Sequence, residues 1–129
     1  MSEPTPFGLS QIGQIAIHAQ DVLRATAFYR DQLGMTFLFA APGLAFFDCG
    51  GVRLMLSRAE KPEFDHPASI LYYKVPDIED ARRALAERGV VFGSEPHVVH
   101  RAADHDLWLA DFRDSEGNLL ALMSEVPRG

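Results

Sequence analysis

The side chains able to do chemistry fall into a few groups. His97, His100 and His105 lie close together in the chain, and imidazoles hold a metal when three or more donors converge. On an extended strand His97 and His100, three apart, point to opposite faces unless a bulge intervenes. There is no His-x-x-x-His helix pattern, so a metal site built from histidines would use some of His18, His100 and His105. Cys49 stands in Asp48-Cys49-Gly50-Gly51 without a Cys-x-x-Cys partner or a neighbouring base, and reads as a small turn residue. Tyr72 and Lys74 are two apart and share a strand face, where an ammonium would lower the phenol's pKa and make it a usable acid or base. His18 could take that role near neutral pH. Arg53 and Lys74 would suit a carboxylate, phosphate or phenolate; the alternative is that they reach solvent at a sheet rim or pair with acids such as Asp48 and Asp111. Trp108, the only tryptophan, offers a flat face to cap an aromatic ligand or to bury in a subunit contact.

These residues must be positioned by elements, and the elements repeat. Gln14 to Asp21 and Ile70 to Asp77 are two strand-like runs of eight residues, each closing on aspartate. After each comes an amphipathic stretch, Val22 to Leu33 and Ile78 to Arg88, with apolar residues at three- and four-residue steps. Asp21 and Asp77 are placed to cap these helices, and Gly34 and Gly89 to end them in the left-handed conformation. Phe37 and Phe92 each stand three residues beyond the glycine. Each half then holds short strands and an Asp-x-x-Gly turn, Asp48 to Gly51 and Asp114 to Gly117. The second half is longer between helix and turn, and the excess holds Glu95 to Asp106 with its histidines. The reading is an α+β fold of tandem βαβββ modules forming curved mixed sheets around a cavity, as a single domain over 1–129. The first module covers about 12–57, a polar, proline-containing linker 58–67, and the second about 68–126. His66, in the linker, is expected to be exposed.

Composition narrows the function. The chain has 129 residues, of which 47% are hydrophobic, enough for one core. A formal charge of −6 disfavours nucleic acid and acidic membrane surfaces as partners. A single cysteine fits a reducing compartment. Met1 to Gln11 shows no basic-then-apolar leader, and no apolar run reaches the ~18 residues of a membrane span. A cytoplasmic protein is expected.

Phe28-Tyr29-Arg30-Asp31-Gln32-Leu33-Gly34 together with Asp114-Ser115-Glu116-Gly117-Asn118-Leu119, set in a duplicated βαβββ frame over roughly Ile12 to Val126, resembles the vicinal oxygen chelate superfamily. That group includes glyoxalase I, extradiol dioxygenases, fosfomycin-resistance enzymes, methylmalonyl-CoA epimerase and bleomycin-resistance proteins. The resemblance implies homodimers, cavities completed across subunits, and a divalent metal held at the start of the first strand and the middle of the fourth strand of each module. Those positions are Gln14, Met55, Ile70 and Ala121 here. Only Gln14 offers an oxygen, and one amide does not hold a divalent ion. No metal or other cofactor is expected, a relocated divalent site being the alternative.

Strand parity supplies the cavity lining. Gln14, Ala16 and His18 face it from the first strand; Ile70, Tyr72 and Lys74 from the fifth; Arg53, Met55 and Ser57 from the fourth; Leu119, Ala121 and Met123 from the eighth. His100 and Trp108 are placed at the mouth. An apolar floor with a few polar groups suits a small, partly apolar ligand with an anionic or aromatic group, bound without metal as by the bleomycin-resistance proteins. The competing readings are a lyase, isomerase or dioxygenase-type enzyme, with a rebuilt metal site or with acid–base chemistry at His18, Tyr72 or Lys74, and a plain interaction module.

Overall fold

Each half opens with a strand that runs straight into a capped helix. A computed structural model describes residues 7, 10–58 and 69–128; His66 and linker residues 59–67 lie outside the described residues. The first half consists of β1 (Gln14–His18), α1 (Val22–Ala27), β2 (Thr36–Ala41), β3 (Leu44–Cys49) and β4 (Val52–Ser57). The second consists of β5 (Leu71–Lys74), α2 (Ile78–Glu87), β6 (His97–Arg101), β7 (His105–Arg113) and β8 (Leu119–Pro127). The caps form as the sequence predicts: Asp21 Oδ1 accepts from Arg24 N at 3.0 Å and Asp77 Oδ1 from Asp80 N at 3.1 Å. Gly34 and Gly89 carry φ of 72° and 92°, which a side chain would resist.

The first helix departs from the expected single α-helix over Val22 to Leu33. From Phe28 to Gln32 it widens into a π turn, with Leu33 N donating to Phe28 O at 3.0 Å. The wider turn lets two consecutive aromatics, Phe28 and Tyr29, both enter the core.

The sheets are mixed and four-stranded, in the orders β1-β4-β3-β2 and β5-β8-β7-β6. The first and last strand of each half pair in parallel, and the other neighbours are antiparallel. This is the α+β architecture of two βαβββ modules that the repeat implies. One face of each sheet packs under its helix. Ile17, Phe47, Leu54 and Leu56 of the first module join Ile78, Ala110, Phe112, Leu120 and Leu122 of the second in one buried cluster. Burying a side chain such as Phe47 contributes about 1.5–3 kcal/mol. Because the helix-facing sides share one core, the other face of each sheet is left open.

Beside that shared core, polar contacts join the modules in both directions. Tyr29, at the end of the first helix, donates its hydroxyl to Asp114 Oδ2 of the second module's hairpin at 2.7 Å, both residues being buried. Glu116 of that hairpin accepts from the backbone N–H groups of Gln20 and Asp21 at 2.6 and 3.0 Å and pairs with Arg24. Asn118 Nδ2 donates to His18 O at 3.0 Å.

Candidate functional site

The open faces carry most of the residues singled out by sequence. On the first sheet, register places Gln14 opposite Arg53, Ala16 opposite Met55 and His18 opposite Ser57. On the second it places Tyr72 opposite Ala121 and Lys74 opposite Met123. Burial agrees with the parity: Gln14 and Arg53 are exposed and Met55 half-buried, while their strand neighbours Ile17, Leu54 and Leu56 are buried. Tyr72 is exposed while Tyr73 packs on the core. Ile70 falls one residue before β5, exposed at the start of the same run. Ala121 is buried on its face, with Tyr72 on one side and Asp111 on the other.

Two placements differ from the sequence expectation. Trp108 does not join the ligand face, because its parity on β7 matches the buried Ala110 and Phe112, and it packs against the core on the helix side. There it walls a cavity of about 300 Å³ with Val126, Ser124 and the start of α2 at Asp77. His97 and His100 lie on the same face, the condition that strand parity alone would forbid. A bulge between Val98 and His100 puts His97 opposite Leu109 and His100 opposite Leu107, two residues of equal parity. His18 is on the first sheet whereas His100 and His105 are on the second, so one chain does not gather the three. Among the described residues no three His, Cys, Asp or Glu side chains form a metal-holding group.

The two cations proposed for anion recognition have different company. Lys74 Nζ pairs with Glu125 Oε1 at 3.2 Å, and Glu125 Oε2 lies 3.4 Å from His105 Nε2. Arg53 does not pair with Asp48 across the hairpin; its Nε donates to Gln14 Oε1 at 2.9 Å, and its guanidinium lies 5.3 Å from the centre of the Phe46 ring. Phe46 in turn stacks on Phe39 at 4.4 Å with the planes 25° apart. Phe39 and Phe46 escaped the sequence reading. The signal was present, since counting back through the Gly50-Gly51 turn sets Phe46 opposite Met55.

At the four positions that would hold a metal stand an amide, a thioether, a branched alkyl group and a methyl group. The amide oxygen of Gln14 already accepts from a guanidinium, whose charge would repel a divalent ion. The donor set does not fit such an ion. Burial, and then the Asp48 carboxylate, push the Cys49 thiol above the ordinary range, which disfavours the nucleophilic thiolate. Asp111, on the open face of the second sheet, is held by Ser94 and pressed against Gly93, where a Cβ would come within 2.6 Å of Asp111 Oδ2.

Two mixed sheets of this connectivity, each with one helix and one open face, define a class, and comparison with known proteins gives the same class. Residues 11–122 match the model of the Glyoxalase/Bleomycin resistance protein/Dioxygenase superfamily, and the chain belongs to that superfamily. The uncharacterized protein YraH of Bacillus subtilis (strain 168) is 29% identical over 126 aligned residues, covering 84% of this chain and 94% of that protein. Among solved structures, a glyoxalase/bleomycin resistance protein/dioxygenase from Nocardioides shares the fold with a TM-score of 0.75 at 20% identity, over 95% of this chain and 88% of that one. A lactoylglutathione lyase from Agrobacterium tumefaciens gives 0.72 at 21% identity, over 91% and 95%. At such identities the likeness extends to the fold, and chemistry has to be argued from the site. No helix among the described residues is long and apolar enough to cross a membrane.

Proposed function

We propose that the protein is a cytoplasmic, metal-independent binding member of the superfamily. Two copies pair so that the open face of one first module meets the open face of the partner's second module. A small, partly apolar molecule is enclosed between them, with the polar rim taking an anionic or aromatic group. The observation that carries this reading is the content of the two open faces. They display apolar groups to solvent, Phe39 at 48% and Tyr72 at 52% exposure, and their central positions hold Met55 and Ala121 where a metal enzyme would need donors. Exposed apolar surface of this kind marks an interaction site, and the apolar floor suits a small organic ligand.

The test is sedimentation velocity on untagged protein purified without chelators, together with elemental analysis and thermal shifts against Ni, Mn, Fe(II) and Zn with an EDTA control. The expected result is a dimer with no stoichiometric metal and no EDTA-sensitive stabilisation. A monomer at micromolar concentration, or one retained equivalent of metal whose stabilising effect EDTA removes, would overturn it.

A further inference from the structure

From the column formed by Arg53, Phe46 and Phe39, we infer that the ligand is a planar aromatic carboxylate. Its carboxylate sits on Arg53, and its ring lies on the apolar surface of Met55, Phe46 and Phe39. The inference rests on the cavity reading above and narrows it to one chemical class and one module.

Three observations carry it. Arg53 is held in place by two contacts that do not neutralise it: Gln14 Oε1 accepts from Nε at 2.9 Å, and the Phe46 ring lies 5.3 Å from the guanidinium carbon. With Nε occupied and no acid among the described residues paired with Arg53, the two Nη groups remain as a fork for the two oxygens of a carboxylate. On the other open face, Lys74 is already paired with Glu125 at 3.2 Å, and Arg113, two residues beyond Asp111 on β7, is turned to the carbonyl of Gly117 at 2.8 Å. The aromatic surface is also laid down beforehand. Phe46 is 9% exposed, fixed between neighbours, whereas Phe39 stacks on it and remains 48% exposed. A flat ring gains from offset stacking on such a surface, which a puckered ring of the same size does not.

Benzoate is the probe, with benzamide as its uncharged isostere, cyclohexanecarboxylate as its non-planar analogue and benzyl alcohol as a neutral aromatic. Binding is followed by NMR shifts of the Met55 methyl and the Phe39 ring in the intact protein. Benzoate should bind about tenfold or more tightly than benzamide, the loss expected when a charge-assisted hydrogen bond is removed. R53Q should abolish that preference, and R53K, which keeps the charge but not the fork, should recover only part of it. F39A should erase the preference for benzoate over cyclohexanecarboxylate while keeping the preference over benzamide. Equal affinity for benzoate and benzamide, or R53Q behaving as the unsubstituted protein, overturns the inference. If benzyl alcohol shifts the same resonances as strongly as benzoate, the carboxylate assignment falls and the cavity reading stands. If no probe moves either resonance, both fall.

Discussion

The two modules descend from one pattern and have divided its tasks. Phe37 pairs with Phe47 in the first and Phe92 with Phe112 in the second, with ring centres 5.6 and 5.2 Å apart. Beyond that shared contact they diverge. In the first module the Asp48 hairpin is a minimal turn, Cys49 facing Val52, with both Gly50 and Gly51 at positive φ. In the second the corresponding Asp114 is buried and accepts from Tyr29 Oη and from the backbone N–H groups of Glu116 and Asn118. Where the first hairpin has Gly50, the second has Glu116, which reaches the start of α1. The second module therefore holds the molecule together. The first, relieved of that duty, keeps on its open face the Arg53 guanidinium, which pairs with no acid among the described residues. Duplication thus allowed one copy of a turn to become a structural joint while the other stayed a plain hairpin.

Substitutions can break this comparison, and the largest effect is expected at the joint. Asp114→Ala should lower stability by about 3–4 kcal/mol in urea unfolding, because it strands several buried donors at once. Asp48→Ala, its counterpart, should change stability by about 1 kcal/mol or less, since among the described residues only Gly51 N, at 3.2 Å, donates to that side chain. Equal losses at the two sites would contradict the division of roles. Tyr29→Phe should lose about 1–2 kcal/mol by the same measurement. Burial, and then the Asp114 charge, push this phenol far above its ordinary range, so the folded protein keeps it as a donor through neutral pH; the loss should shrink as pH rises above about 10, where the phenol of the unfolded chain ionises.

Glu116→Gln sharpens the comparison through its pH dependence. Burial alone would raise the Glu116 pKa, but Arg24 and the N–H groups of Asp21 and Gln20 outweigh it and hold the carboxyl below its usual value. A carboxyl depressed in the folded state stabilises above its unfolded pKa, and that stabilisation disappears as pH falls through the folded one. The substitution should therefore cost about 1 kcal/mol at pH 7. The difference from the unsubstituted protein should shrink as pH drops below about 4.3, the ordinary glutamate value. Thermal melts of both proteins from pH 7 to pH 3 measure it, and a constant difference would assign Glu116 a packing role alone.

The features legible in the sequence are those set by local chemistry. Asp21 and Asp77 announce helix starts because a carboxylate caps the free N–H groups within three residues. Gly34 and Gly89 announce the ends for an equally local reason, and the open-face positions Gln14, Arg53, Met55, Tyr72 and Lys74 follow from strand parity. What the sequence concealed depends on partners distant along the chain. The bulge that brings His97 and His100 to one face exists only against β7. The face taken by Trp108 is set by the register of a nine-residue strand, and no helix follows that strand to mark its inner side. The π turn at Phe28 serves two neighbouring aromatics whose shared destination is a core drawn from both modules. The pairing of Arg53 with Gln14 rather than Asp48 is likewise a matter of side-chain geometry across strands, invisible to a charge count.

The bulges have a further consequence. The four edge strands are β1, β2, β5 and β6, and β2 and β6 each carry an irregularity near the middle, between Phe37 and Phe39 in one and between Val98 and His100 in the other. An edge such as Thr36-Phe37-Leu38-Phe39-Ala40-Ala41, exposed along its length, would otherwise present an even row of unpaired amides to any extended chain nearby. A kink halfway along interrupts that row, so that an incoming strand cannot extend a regular ladder beyond a few bonds. The same distortion that sets which residues share a face thus also interrupts two of the four sheet borders against fibrous self-association.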